Sequence, residues 1–212
     1  MNKKLFTQIK NEWRGNTWLA IELLLVSVVM WFITDMLYCR IATYMEPRGF
    51  DISHCYLIEM SMLNEKSPDY VEYGKGDEQR DVLELLNRIQ HRPDVETASL
   101  SINSYPYNGS NGTTSMQLQG DSVIISNWLI RRFVTPDFVR VFRYEGANGE
   151  TPEQLAQMLE EGKFLASENV YNRKKLGYRD LKDYIGKPFY LHGDTTQTYT
   201  LGTALKTVRY DD

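Results

Sequence analysis

Residues 18–38 read WLAIELLLVSVVMWFITDMLY, and 17 of these 21 side chains are apolar or aromatic. A helix rises about 1.5 Å per residue, so a helix of this length covers the roughly 30 Å hydrocarbon core of a bilayer. The stretch predicts a transmembrane helix, which we place at residues 17–39. The remaining residues have an ordinary globular composition and are numerous enough for one domain or two small ones.

Four polar residues interrupt the apolar stretch: Glu22, Ser27, Thr34 and Asp35. The two acids lie toward opposite ends of the segment, where headgroups and water can reach their carboxylates. An acid at the bilayer centre would cost about 2.5 to 3.5 kcal/mol on insertion scales, so this placement favours insertion. Two interpretations are open. Both acids are interfacial, which the placement favours, or one of them contacts a neighbouring helix.

The charge distribution predicts the orientation of the helix. Residues 1–17 contain four cations and Glu12, a balance of +3, which leaves -7 for the other residues in a net charge of -4. The cations are Lys3, Lys4, Lys10 and Arg14. The positive-inside rule predicts that the N-terminus is cytoplasmic and that the bulk of the chain is exported. The other residues are net acidic, so nucleic-acid binding is not expected.

Residues 1–16 have the pattern of an amphipathic helix. Leu5, Ile9 and Trp13 recur every four residues among basic positions, which is typical of a helix lying in the cytoplasmic headgroup layer. A plain charged tail is the alternative.

A cleaved signal peptide and a lipid anchor are less consistent with the sequence than a retained helix. No small-x-small cleavage site follows the apolar run, which is also long for a signal sequence. A lipidated cysteine would follow a small residue, whereas Tyr38 precedes Cys39. Cys39 and Cys55 are the two cysteines of the chain. A disulfide between them is possible in an oxidising compartment, but two unpaired thiols fit their surroundings better.

The exported portion has α+β patterning after a break at residues 45–50. Apolar side chains at alternate positions from Ile52 to Met62 predict a half-buried strand. Helical spacing from Val82 to Ile89, with Pro93 as a stop signal, predicts a helix, and alternation from Ala98 to Ile102 predicts a second strand. This strand, helix, strand order buries one helix against a sheet.

From Ser104 onward the sequence predicts short elements. Residues 104–120 are rich in turn-forming residues and predict a connection. Thr151, Pro152 and Gln154 form an N-cap, a first-turn proline and a capping-box partner, and Gly162 follows as the stop. A second helix is predicted from Ser167 to Gly177. Residues 189–191 and 199–201 flank a polar turn and predict a hairpin.

The sequence predicts no catalytic residue, no cofactor-binding residue and no metal ligand. Gly186-Lys187 lacks the preceding glycine of a phosphate-binding loop. His54, His91 and His192 have no metal-ligand spacing, and neither cysteine lies in a nucleophile motif. Acidic pairs such as Glu160 and Glu161 are more simply solvated surface than catalytic dyads.

Four motifs in the last eighty residues resemble the periplasmic core domain of MacB-type ABC transporter permeases, the family that also carries the FtsX-like permease module. The motifs are TPDFVRVF (135–142), FLASENVYNRKKLG (164–177), DYIGK (183–187), and YTLGT with TVRYD (199–203 and 207–211). Their order, behind one membrane helix and a strand-helix-strand unit, extends the likeness over nearly the whole chain. Leu176 replaces the family's usual phenylalanine, so the chain is a divergent member by this resemblance.

The resemblance implies that the membrane is a bacterial inner membrane, with the N-terminus cytoplasmic and the bulk of the chain in the periplasm. It also implies a division of the exported portion. Residues 50–103 would form the first half of a porter-like subdomain, and residues 104–212 a second, partner-contacting α+β subdomain. It also implies that the chain is the N-terminal portion of a permease with three further membrane helices. The implied partners are the lipid bilayer, a separate cytoplasmic ABC ATPase, a second permease copy or paralogue, and a periplasmic protein.

Two functions follow as expectations. The first is a permease subunit of an ABC-type export or mechanotransmission system, which couples the ATPase to the periplasm. The second is a self-contained, single-pass anchored binding or sensor module. An anchored periplasmic enzyme has no residue constellation in its favour.

Inserting two arginines next to Val28 is expected to block membrane integration, because each costs about 2.5 to 3.5 kcal/mol near the bilayer centre. Fractionation of the expressed chain into membrane and soluble pools checks this. Unchanged recovery with the membrane would show that residues 17–39 are not the anchor.

Overall fold

The structure is a computed structural model of the 212-residue chain. It describes residues 4, 7, 10, 13–61, 63–72, 74, 76–109, 112–121, 124–170, 180–191 and 193–210. The chain divides into two compact units, the first ending at Glu46 and the second running from Pro47 to Asp211. The predicted amphipathic helix at residues 1–16 falls largely outside the described residues.

The first unit contains the helix α1, Trp13–Met45. Its apolar side chains are exposed along its length, and Thr17–Met45 is long and apolar enough to cross a membrane. The hydroxyls of Ser27 and Thr34 donate to the carbonyls of Leu23 and Met30, four residues earlier, at 2.7 and 2.8 Å. These two polar groups therefore have partners within the helix, as an apolar environment requires. The predicted helix at 17–39 is confirmed, and it continues six residues further.

In the second unit the helices are α2 (Asp77–Gln90), α3 (Phe138–Val141) and α4 (Pro152–Glu160). Short 3₁₀ turns lie at Glu168–Val170 and Leu181–Tyr184. The strands are β1 (Ser101–Ile102), β2 (Thr113–Leu118), β3 (Ile124–Ile130), β4 (Phe133–Val134), β5 (Phe164–Ser167), β6 (Pro188–Leu191) and β7 (Tyr199–Leu205). A mixed α+β architecture is thus confirmed.

The strands form two sheets. β1 and β4 pair antiparallel, and the larger sheet has the order β3-β2-β6-β7-β5. Within it only the pairing of β5 with β7 is parallel among the described pairs. β6 and β7 are antiparallel neighbours, so the predicted hairpin is confirmed.

Two hydrophobic cores lie in the second unit. The first consists of Met116, Leu129, Ala166, Leu181, Tyr184, Phe189, Leu201 and Ala204. The second consists of Phe138, Val139, Tyr144, Leu155 and Ala156, with residues from both ends of the unit packed against it. Phe138 and Phe142, the two phenylalanines of the TPDFVRVF motif, have ring centroids 4.6 Å apart, and Phe138 is the buried member.

The start of α4 is set by local chemistry. The Gln154 backbone N–H donates to the Thr151 hydroxyl at 3.4 Å, and the Thr151 N–H donates to the Gln154 side-chain oxygen at 2.9 Å. Pro152 occupies the first turn, where no intrahelical donor is needed. Gly162 follows with φ of 76°, a conformation that favours glycine. The predicted helix is confirmed at both ends.

A buried polar contact fastens the turn before α4 to β7. Thr203, which is buried, donates from Oγ1 to Glu150 Oε1 at 2.6 Å, and Asn148 donates its backbone N–H to Oε2 at 3.0 Å. Burial by itself raises the pKa of the Glu150 carboxyl. The hydrogen bonds from Thr203 and Asn148 outweigh it, so the pKa is lowered and the carboxylate is retained.

The predicted strand from Ile52 to Met62 is wrong. The described residues of this range contain neither strand nor helix. His54 has φ of 61°, and the Cys55 N–H closes a turn onto the Ile52 carbonyl at 3.1 Å. A strand needs a neighbour for its backbone groups, and alternation of apolar side chains does not supply one. The strand-helix-strand unit proposed for residues 50–103 is therefore not formed as predicted.

Three other predictions need correction or a narrower statement. The sequence predicts only a connection for residues 104–120, but β2 lies within this range. Met116 is buried in this strand, although most of the side chains around it in the sequence are polar. Ser167 ends a strand instead of beginning a helix, since β5 pairs with β7, and residues 171–177 lie outside the described residues. The strand predicted from Ala98 is reduced to Ser101–Ile102, whereas the helix predicted at residues 82–89 is confirmed as α2.

Candidate functional site

The segment that joins the two units is fastened into the second unit. We call Pro47–Asp51 the junction segment; it begins two residues after α1 ends at Met45. The Arg209 backbone N–H donates to the Arg48 carbonyl at 3.1 Å, and the Asp51 N–H donates to the Phe142 carbonyl at 2.9 Å. Both ends of the junction segment are thereby bonded to distant parts of the chain.

Gly49 allows the closest approach in the junction segment. A Cβ atom at this position would lie 2.1 Å from the Thr207 carbonyl oxygen and 3.2 Å from the Val208 Cα. Its φ of 77° is also in the left-handed region, which glycine adopts without steric cost. The backbone at Gly49 therefore packs directly against the backbone at Thr207 and Val208. A side chain at position 49 would push the two apart.

Phe50 anchors the junction segment in a group of aromatic rings. It stacks on Tyr210, with ring centroids 5.4 Å apart and an angle of 19° between the planes. Tyr107 and Tyr144 lie at centroid distances of 6.0 and 6.2 Å from it. We call Phe50, Tyr107, Tyr144 and Tyr210 the aromatic cluster. Such ring pairs contribute about 0.5 to 1.5 kcal/mol each beyond their buried area, so the cluster holds the segment firmly.

The polar ends of the aromatic cluster are also paired. The hydroxyls of Tyr144 and Tyr210 share a hydrogen bond. Burial raises the pKa of both phenols, so both stay neutral and keep this bond at physiological pH. The guanidinium carbon of Arg132 lies 4.5 Å from the Tyr210 ring centroid, in the geometry of a cation–π contact. Arg48 has a similar, longer contact of 5.9 Å with Tyr107.

An ion pair fixes the end of the junction segment. The Arg143 Nη1 donates to Asp51 Oδ2 at 2.9 Å and to the Ser53 carbonyl at 3.2 Å. The Ser53 N–H donates to Asp51 Oδ1 at 2.8 Å. The hydrogen bonds from Ser53 and then the charge and hydrogen bond of Arg143 lower the pKa of the Asp51 carboxyl. The carboxylate is consequently the form that this turn stabilises.

The structure does not bring together those residues screened for catalysis that it describes. His54 is exposed, the His91 ring contacts the Asn87 carbonyl at 2.7 Å, and His192 lies outside the described residues. Both cysteines are free thiols, and burial raises the pKa of the half-buried Cys55, which disfavours the nucleophilic thiolate. Among the described residues there is no group of three or more acids, histidines and cysteines that could hold a metal ion.

Glu160 and Glu161, at the end of α4, are exposed to solvent, as expected. The Glu161 carboxylate accepts from Lys163 Nζ at 2.6 Å, and Glu160 lies 3.6 Å from the Arg140 guanidinium. Asp211 and Asp212, also adjacent acids in the sequence, lie outside the described residues. Lys187 belongs to the Gly186-Lys187 pair, which lacks the preceding glycine of a phosphate-binding loop. Its Nζ lies 4.7 Å from the centroid of the Tyr184 ring.

Comparisons of the chain with family models, with curated proteins and with solved structures give no match. The resemblance to MacB-type permeases therefore stays a prediction from sequence motifs.

Sequence reasoning missed the junction segment as a site. In the sequence, Pro47 and Gly49 indicate only a break between helix and domain. The partners of the segment lie about ninety and one hundred and sixty residues further along the chain, at Phe142 and Arg209. A usable signal is the glycine followed by phenylalanine, since a flexible linker needs no aromatic residue.

Replacing Gly49 by alanine is expected to destabilise the second unit by about 2 to 4 kcal/mol, because the left-handed strain of about 1 kcal/mol adds to a backbone clash. Gly109→Ala is the matched control, since Gly109 has φ of 67° and no atom within 4 Å of the position that a Cβ would take. Denaturant unfolding of the full chain in detergent measures both variants. Equal losses for the two would contradict the close approach at Gly49.

Asp51→Asn is expected to lower stability at neutral pH and to make little difference in strong acid. A lowered pKa in the folded state stabilises it above the unfolded pKa of about 3.9, and this contribution is lost as the pH falls through the folded value. Unfolding of wild type and variant at pH 7 and pH 2.5 gives the comparison, with the exposed Asp69→Asn as control. A gap between Asp51→Asn and wild type that widens in acid would contradict the ion pair.

Proposed function

We propose that this chain is the membrane-anchoring and extracytoplasmic part of an ABC-type export or mechanotransmission permease. The observation that carries the proposal is the docking of the junction segment. Between the end of α1 at Met45 and the fastened Arg48 carbonyl lie only Glu46 and Pro47. This stretch is too short to absorb a displacement of the helix, so the displacement would pull on the second unit.

Linker length is the physical reason. A flexible linker of a dozen residues has a root-mean-square span of about 18 to 20 Å and would absorb a small helix movement. Here the backbone bonds at Arg48 and Asp51, the packing at Gly49 and the rings around Phe50 leave no such linker. The residues that hold the junction segment, 207–210, follow the end of β7, and β7 lies between β6 and β5 in the sheet. Tension on the junction segment would thus reach β7, which is hydrogen-bonded to a neighbouring strand on each side.

The basic N-terminus favours a cytoplasmic start and a periplasmic second unit at the bacterial inner membrane. In this arrangement the cytoplasmic ATPase supplies the motion, and a second permease copy or a paralogue completes the membrane assembly. A periplasmic protein would receive the displacement of the second unit. The proposal gives this chain no catalytic step of its own.

The test is whether ATP turnover in a separate subunit changes the second unit. We suggest inserting an affinity tag after Thr195, in the exposed turn between β6 and β7, and purifying the chain from detergent extracts of its native host. An ABC ATPase is expected to co-purify. Hydrogen exchange at residues 204–210 is expected to differ between the ATP-bound and vanadate-trapped states, because this stretch holds the junction segment.

Gly49→Ala separates coupling from assembly. This variant is expected to retain the ATPase but to lose the nucleotide-dependent change in exchange, whereas Gly109→Ala keeps both. Recovery of no ATPase would overturn the permease proposal and favour the single-pass binding or sensor module. An undiminished nucleotide response in Gly49→Ala would overturn the role of the junction segment.

A further inference from the structure

A run of exposed apolar side chains follows the junction segment. Tyr56, Leu57, Ile58 and Met60 are 89%, 56%, 60% and 49% exposed. Among the described residues from 51 to 100, none is buried. Neither hydrophobic core includes a residue of this range, and both are complete without it. The run therefore is a surface of the second unit that its own fold leaves uncovered.

Two contacts fasten the chain just before the run begins. Arg143 binds the Ser53 carbonyl, and the half-buried Cys55 places its Sγ 3.4 Å from the Val141 carbonyl. The five residues that follow, through Met60, form neither helix nor strand. Contiguous exposed apolar surface of this kind marks a site of contact with another molecule or with a membrane.

Position along the chain indicates which of these it is. Thr17–Met45 comprises 29 residues, and at about 1.5 Å per residue the helix spans about 43 Å, the thickness of a bilayer with its headgroups. Met45 then lies near the water boundary. Tyr56 is eleven residues further, a contour of at most about 40 Å, and the docked junction segment shortens this reach. The run is thus tethered close to a lipid surface.

The composition of the run fits lipid better than a protein partner. No lysine or arginine lies between Arg48 and Lys66, and Glu59 is the one charge between Cys55 and Leu63. A tyrosine beside leucine, isoleucine and methionine is typical of the membrane interface, where the phenol meets headgroups and the aliphatic chains enter the acyl boundary. Water and headgroups at that depth satisfy a backbone that has no sheet to join.

We propose that Tyr56–Ser61 is an interfacial segment, which inserts its apolar side chains into the surface of the bilayer that α1 crosses. The inference rests on the membrane span of the proposed function. The segment lacks cations, so insertion depends on buried apolar area and not on anionic lipid. It gives the second unit a second attachment to the membrane, independent of the junction segment.

The test uses the full chain with Cys39→Ser and Cys55→Ser, and with Ile58→Cys carrying an environment-sensitive fluorophore. The protein is placed as one copy per nanodisc of phosphatidylcholine, with or without bromine on the acyl chains. Emission from position 58 is expected to shift to the blue and to be quenched roughly twofold or more by brominated lipid, because interfacial side chains lie about 5 to 10 Å deep. The matched control is Thr195→Cys, exposed in the β6–β7 turn, which is expected to show neither change.

A second variant guards against a structural artefact. Adding Leu57→Asp is expected to abolish the quenching at position 58 without changing the circular dichroism, since Leu57 is exposed. Absence of quenching at position 58 in singly loaded discs would overturn the proposal. A blue shift that occurs only with two copies per disc would also overturn it and assign the surface to a second copy. Failure of the chain to remain with the discs would overturn the membrane span itself, and the proposed function with it.

Discussion

The backbone contact between Gly49 and Thr207 is the constraint on which the organisation of the second unit depends. It brings the start of the unit against its end, and only glycine leaves room for the Thr207 carbonyl at this distance. Phe50 can then stack on Tyr210, and the Arg48 carbonyl can accept from Arg209. The second core is closed by these residues from both ends of the unit. Without the close approach, the aromatic cluster would lose two of its contributors together.

The buried side chains of the two cores are concentrated in one part of the second unit. Every buried residue of the cores lies between Met116 and Ala204, whereas α2 and the residues before it add no buried side chain among those described. Helix α2 has two acids in its first turn, and Gln90 at its end donates to the Ala98 carbonyl at 2.9 Å and to Asp137 Oδ2 at 3.1 Å. A part with so few buried contacts opens more easily than the sheet. The proposed attachment to lipid would therefore act on the least rigid part of the unit.

Local signals in the sequence predicted local structure well. Helix α1 follows from composition, because a long uninterrupted apolar run predicts one long helix whatever the fold around it. The capping box at Thr151 involves groups three residues apart, so it could be identified without the fold. The strand expected from Ile52 to Met62 failed because a strand is a property of two segments, and periodicity describes one. The junction segment could not be found for the same reason, since Arg48 and Arg209 meet only in the folded chain.

The pairing of Arg48 with Arg209 also orders events during synthesis. The two positions are separated by 161 residues (209 minus 48), so the junction segment is synthesised long before its partner Arg209 exists. At about 5 to 20 residues per second, roughly 8 to 30 seconds pass between the translation of the two positions. Throughout that interval Phe50 has no Tyr210 ring to stack on, and the junction segment is not yet docked. Synthesis of α1 and docking of the junction segment are thus separate steps in time, and the second unit can close only after its last residues have been made.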